Sequence, residues 1–387
     1  MIYYILILLI IILSVLLLVI GIDLFFYYKS VFQRYKIGRW TDQNNWLKSV
    51  KQINLTWLRK TPTVKLTDNE SYIIKDLLKG HYRSTTIQSW QEAGALLGAI
   101  DTENTKEKID EFINNKIDIH TGTWKQVPQY VDGAILAYAL TKTNVDVIKL
   151  KPAFDQVIEL IDRCKGEDGT IFYRDFIPSI RFVDTIGFIC PFLTYYGQKF
   201  NKPEYIDLAL LQIQSYVAKA FLPNKMIPAH AYDLKKDMPL GIYGWGRGLG
   251  WFILGITDMY YELDETHSSK IYLKELVEKT AKDALVFQKE DGGFNAMIAV
   301  DSSRHDSSIT AIAGWLFYTA FTIDKDEKYL LAAKRCVQSL MKVTRRDGVI
   351  DFCQGDTKGI GLYATTFDLM PFVQGLTIRL SSAIESK

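Results

Sequence analysis

Cysteine is scarce in this chain: four in 387 residues, Cys164, Cys190, Cys336 and Cys353, with no CxxC and no clustering of ligand types. That spacing argues against a zinc site and gives no disulfide framework. Net charge is equally slight, +2 at neutral pH, which argues against nucleic acid as a bulk electrostatic partner. Strand-like alternation is rare as well, so the fold is to be sought among helices. What the chain does have is apolar mass, 48% of residues against 23% charged, enough to bury a large core.

One long hydrophobic run stands apart from the rest. Ile2–Ile22 is almost unbroken aliphatic sequence, followed by Asp23 and then Leu24–Tyr28. About 20 apolar residues match the hydrocarbon thickness of a bilayer. The run is longer than a signal-peptide h-region and lacks a basic n-region and a small-residue cleavage site. We therefore expect a single uncleaved membrane anchor over residues 1–28. No Lys or Arg precedes it, whereas Lys29, Arg34, Lys36, Arg39, Lys48 and Lys51 follow, so the positive-inside rule leans the domain toward the cytoplasmic face. Residues 29–65 read as a basic juxtamembrane segment and 66–387 as the catalytic domain.

Beyond the anchor, amphipathic helices alternate with short Gly/Asp loops. Helical spacing is clear in Ile135–Leu140, Phe154–Ile161, Ile206–Ala218, Leu273–Phe287 and Tyr329–Met341. A punctuation recurs in Asp168-Gly169, Asp291-Gly292 and Asp347-Gly348, with Gly122 in a looser copy; the glycine is expected to end a helix and the next apolar residue to pack back. After each turn a second helix opens, near Trp90, Asp132, Asp184, Arg247, Ser307 and Thr365. A repeat of this length predicts helical hairpins that cannot bury their apolar faces alone. About six fit between Asp68 and Leu380, and six can close into an all-α (α/α)6 barrel whose second helices point their N-termini at one mouth. An open solenoid is the alternative; the acidic and aromatic openings favour closure around a pocket.

Those openings carry the candidate chemistry. Asp132 and Asp184 each precede a helix, so each reads either as an N-cap or, if the two face one another, as half of a carboxylate pair in which one group stays protonated near neutral pH. Such a pair suits acid–base work on a glycoside. His230 lies in the Pro-containing stretch Ile227–Asp233, read as a loop, where it either orients a sugar hydroxyl or is an ordinary loop residue. Ile242–Trp251 packs glycines, Arg247, Trp245 and Trp251 into one helix opening: glycine admits a ligand close to the backbone, tryptophan offers a flat apolar face, and arginine a fork for carboxylates; the alternative is a tight helix–helix turn with a core tryptophan. Trp124 and Ser307 complete the candidates, Trp124 as a stacking platform and Ser307 from an opening that also reads as a plain helix cap.

Trp245–Trp251, Val183–Leu193 and Asp306–Gly314 together resemble the unsaturated glucuronyl and rhamnogalacturonyl hydrolases, glycoside hydrolase families 88 and 105, over about residues 70–380. The resemblance implies an (α/α)6 barrel that needs neither metal nor organic cofactor and takes an acidic oligosaccharide. It implies Asp184 as general acid/base with Asp132 assisting, adding a proton and water across the 4,5 double bond of an unsaturated uronic acid. His230, Trp245 and Arg247 are similar to residues lining the family's subsite. Leu249 departs from the pattern, standing where the family usually has Asn or Gln, which removes one possible hydroxyl contact. The alternatives are another toroid enzyme, such as a uronate epimerase, a lyase or a different glycosidase, and a non-catalytic carbohydrate-binding relative.

Overall fold

The structure, a computed structural model, describes residues 1–62, 64, 74, 78 and 88–386. It opens with α1 (Ile2–Gln33), none of whose residues is buried and which is long and apolar enough to cross a membrane. Twelve further helices among the described residues form two concentric rings. The inner ring is α3 (Ser89–Ile100), α5 (Gly133–Thr141), α7 (Asp184–Lys199), α9 (Gly246–Glu262), α11 (Ser307–Asp324) and α13 (Pro371–Glu385). The outer ring is α2 (Gln43–Arg59), α4 (Lys106–Lys116), α6 (Lys151–Arg163), α8 (Pro203–Ala220), α10 (Ser269–Leu285) and α12 (Glu327–Lys342). Each inner helix packs on the next, and α13 returns to α3, so the ring is closed and the solenoid is excluded.

The two rings differ in sequence for a physical reason. An outer helix such as α6 buries one stripe (Phe154, Val157, Ile158, Ile161) and turns its charges outward, whereas α9 is buried nearly all round from Gly246 to Met259. A helix between two layers has no wet face to spare. The closing seam needs glycine: a Cβ at Gly94 would strike Phe372, and one at Gly98 would strike Gly375. Five of the six inner helices open at or next to the expected positions, and the last opens at Pro371 rather than near Thr365. The strand β7 (Phe367–Asp368), paired with β6 (Cys353–Gln354) in a short ribbon, occupies the interval between.

Three expectations change. The recurring glycines do not end helices: α6 and α12 stop at Arg163 and Lys342, several residues before Gly169 and Gly348. The glycines, with φ of +79° and +91°, instead turn small ribbons closed by the bridges Lys165↔Ile171 and Thr344↔Ile350. The apolar residue does pack back, and its N–H is taken by a neighbouring side chain, Ile171 by Gln212 and Ile350 by Gln374. Second, residues 43–59, read as juxtamembrane, form α2, which buries Trp46, Leu47, Val50 and Leu58 in the common core. The 65/66 boundary and Asp68 lie outside the described residues. Third, His230 sits in a strand. β3 (Ile180–Phe182), β4 (Ala229–Asp233) and β5 (Met238–Tyr243) form an antiparallel sheet at the mouth, with a register shift between Ala229 and Ala231.

Candidate active site

The inner-helix N-termini and the loops entering them enclose a cavity of about 320 Å3, within the size range of small-molecule sites. Asp184, His230, Arg247, Trp251, Trp90, Tyr173, Arg174 and Asp356 are among the side chains that line it. Asp184 is the first residue of α7, with Val183 in the cap position. Its Oδ2 has no hydrogen-bond partner among the described residues, although the side chain keeps 13% of its surface open to the cavity. Neither Asp184 nor Asp132 caps its helix through its side chain, whereas Asp306 does, accepting from the Ser308 N–H at 2.8 Å.

Burial controls the protonation of these groups. Loss of solvation pushes the Asp184 carboxyl up to about 7 against the pull of Arg247, and the nearby Asp356 charge adds to the rise. Burial likewise carries Asp132 up to about 6, opposed by Arg174 and by N–H groups of Asp132 and Ser89. Asp356 is raised as well, again by burial, with Arg247 and a hydrogen bond from Gln88 working the other way. His230 is driven down to about 3 by burial and by Arg247. Its Nε2 lies 3.8 Å from Asp184 Oδ2, but a neutral imidazole makes this a polar contact, not an ion pair. The irregularity falls opposite His230: β5 spends two residues, Gly241 and Ile242, where β4 has only His230, and Gly241 takes a φ of +77°, as the extra residue of a bulge does.

The remaining candidates divide. Arg247 lines the cavity while donating to the carbonyls of Gln354 and Gly355, the latter at 2.8 Å, so the loop leading to Asp356 holds its guanidinium in place. Trp245 donates to Gln354 Oε1 at 3.0 Å and packs against His230 with ring centroids 4.4 Å apart; it braces the lining from behind. Trp251 reaches the floor of the cavity, stacked on Phe372. Asp132 sits behind the lining, close enough to feel Arg174 and Asp356. Ser307 is fully buried, its N–H bonded to the Phe352 carbonyl. Trp124 is not brought to the cavity: its indole donates to Ala153 of α6 and lies in the core. Leu249 also belongs to the core and is buried, so no side chain at that position faces a ligand here.

Sequence reasoning missed Asp356, Tyr173 and Arg174. Asp356 lies in the β6–β7 loop, Arg174 in the loop before β3, and neither opens a helix. The Arg174 guanidinium lies over Tyr173 and Tyr130, at 3.7 and 4.0 Å from their centroids. Three polar residues flanked by glycines, Gly355-Asp356-Thr357-Lys358-Gly359, were the available signal for the first.

Residues 79–381 match the family model described as Glycosyl Hydrolase Family 88. A protein of Alteromonas sp. (strain LOR), named unsaturated 3S-rhamnoglycuronyl hydrolase, is 26% identical over 127 residues. That match covers 32% of this chain and 30% of the relative, so less than a third of its length. A possible member of family GH105 from Salmonella enterica superposes with a TM-score of 0.72 at 16% identity, covering 90% of this chain and 96% of that one. An unsaturated glucuronyl hydrolase of Bacillus sp. GL1, responsible for the degradation of glycosaminoglycan, gives a TM-score of 0.60 at 17% identity, covering 89% and 95%. At these identities the likeness to solved structures is one of fold, the (α/α)6 barrel.

Proposed function

The chain belongs to glycosyl hydrolase family 88, and on that premise we propose that it hydrates the 4,5 double bond of an unsaturated uronic acid at the non-reducing end of an oligosaccharide. The observation that carries the reading is the buried Asp184 carboxyl lining the cavity with Arg247, its Oδ2 without a partner among the described residues; burial raises its pKa to about 7. Protonated Asp184 gives its proton to C4. The positive charge that develops at C5 is shared with the ring oxygen. Asp184, now a carboxylate, takes a proton from water as that water adds to C5. The resulting hemiketal opens and releases the rest of the saccharide, so the glycosidic bond breaks without direct displacement. One group thus serves as acid and then base, which requires a pKa near the working pH.

Around it, Arg247 supplies fixed positive charge for the uronate carboxylate, and neutral His230 offers a ring nitrogen to a hydroxyl. Burial keeps the proton on Asp184, and the Asp356 charge helps against the pull of Arg247, while Asp132 assists from behind the lining. We read α1 as a single membrane span, with the domain on the side of its basic C-terminal flank. The functional test is the loss of enol-ether absorbance when the protein meets an unsaturated uronyl disaccharide. That loss is expected with the natural chain and absent with Asp184→Asn of unchanged thermal stability near pH 5. Full activity in the variant would refute the assignment.

A further inference from the structure

The anchor is not a loose tether. Arg34, the residue after α1, donates through Nε and a terminal nitrogen to both oxygens of Asp351 at 2.9 and 3.0 Å, and again to the Phe367 carbonyl at 2.6 Å. Asp351 is fully buried and is shared with Arg345, which also reaches Asp368. The chain beyond is tied to the same place: Gly38 donates to the Thr344 carbonyl and the Trp40 indole to that of Arg345. These acceptors flank the β6–β7 ribbon, whose loop carries Asp356 into the cavity and whose Gln354 and Gly355 carbonyls hold Arg247. The anchor therefore joins the domain at the mouth of the barrel. A buried, bidentate Arg–carboxylate pair fixes orientation as well as position.

The same mouth carries apolar side chains that the fold leaves in the open. Phe176 is 79% exposed and Leu362 63% exposed, on the two loops whose Ile177 and Ile360 line the cavity. Tyr130, which lies against Arg174, and Ile242, whose N–H donates to Tyr363, are also exposed and border them. An exposed apolar cluster with basic neighbours marks a surface that meets something. The anchor's own chemistry says what. Phe25–Lys29 places four aromatic rings and a lysine after the aliphatic run, the composition of a membrane–water interface. Arg34 follows Lys29 by five residues, about 8 Å along a helix axis. The ribbon it grips thus lies at the level of the lipid headgroups.

We propose that the exposed rim of the cavity, Phe176, Leu362, Tyr130 and Ile242, rests on the surface of the bilayer that α1 spans, with the Arg34–Asp351 pair as the joint that holds it there. The inference rests on reading α1 as a span. It gives the site a substrate geometry: the cavity opens toward the headgroup layer and takes saccharide ends that lie along the membrane.

The four natural cysteines are buried, so an introduced thiol on the exposed surface can be labelled selectively. The full chain, reconstituted in phosphatidylcholine vesicles containing a nitroxide-headgroup lipid, would carry a fluorophore at Phe176→Cys or Leu362→Cys. The control is Leu331→Cys on α12, a comparably exposed apolar position. Quenching several-fold stronger at 176 and 362 than at 331 is expected. Arg34→Ala should bring the rim labels toward the control value; if that variant fails to fold, the comparison in the natural background still decides. Equal quenching at all three positions in a chain that floats with the vesicles overturns the inference alone. A chain that alkaline carbonate strips from the vesicles overturns the span and the inference with it. Rim labels shielded by soluble oligosaccharide but untouched by the lipid quencher would make the rim a glycan-binding lip and would also overturn it.

Discussion

The two ends of the inner ring bury the same kind of residue and treat it in opposite ways. Toward the helix C-termini, Asp258 of α9 is buried and completely engaged, taking two bonds from Arg379 at 2.8 and 2.9 Å and one from the Trp315 indole. Nearby, Glu262 accepts from Tyr138 and pairs with Lys142. At the mouth, Asp184 Oδ2, His230 Nδ1 and Ser307 Oγ have no partner among the described residues. An unpaired buried polar group costs free energy, and at the mouth that cost is what lifts the Asp184 carboxyl to about 7. The closed end pairs its carboxylates within the fold, and the open end leaves that of Asp184 lining a cavity with one oxygen unpartnered among the described residues.

Substitutions at the two ends should therefore separate activity from stability. Asp184→Asn should lower kcat/KM for an unsaturated uronyl substrate by about 10²–10⁴, with no loss of stability in calorimetry near pH 5. Arg379→Ala should do the reverse. Stranding the Asp258 charge costs about 3–5 kcal/mol, read in urea unfolding, while turnover per folded molecule stays unchanged. If Arg379→Ala abolished turnover in fully folded protein, the division of labour between the ends would be wrong.

The pH dependence sharpens the same contrast. The folded carboxyl of Asp184 holds its proton up to about pH 7, whereas an unfolded Asp loses it near 4. Across that window the folded state binds more protons, so this residue's contribution to stability falls as pH rises. Asp184→Asn removes the penalty and should be more stable than the natural protein at pH 8, by about 1–3 kcal/mol. Over the same range kcat/KM of the natural enzyme should decline on an alkaline limb near pH 7, because the donor becomes ionised. An activity that rose through pH 7 and stayed high would assign the proton to another group.

Two smaller effects follow. Leu249→Gln restores the polar residue usual in the family motif but buries it in the core, so a destabilisation of about 1–3 kcal/mol with unchanged KM is expected from unfolding and steady-state kinetics. Asp356→Asn removes one charge that raises Asp184. The alkaline limb should move down by less than about one pH unit, visible in a pH–rate profile.

Much of the fold was legible because it is repetitive. Buried-all-round helices alternate with one-striped helices, and each inner helix opens near a residue that breaks the pattern. The site was legible where its residues sit on those openings: Asp184 and Arg247 are fixed by the helix that follows them. It was not legible where position depends on ring closure. Asp356 and Arg174 ride on loops with no periodicity of their own, and only the packing of α13 against α3 and the ribbon beside it brings Asp356 toward Asp184. Sequence also cannot give azimuth around an opening. Ser307 and Leu249 lie within the first turns of inner helices yet face inward to protein, and Trp124 precedes an opening but packs on α6. A short strand read as a loop hid the sheet on which His230 sits.

The most direct test is to follow an unsaturated uronyl disaccharide with the enzyme in deuterium oxide by NMR. The account predicts that the double bond disappears, that the released uronic product carries one deuterium at C4, and that Asp184→Asn yields neither change. Intact disaccharide that gains solvent deuterium while keeping its double bond would contradict it and would turn the same cavity into that of an epimerase.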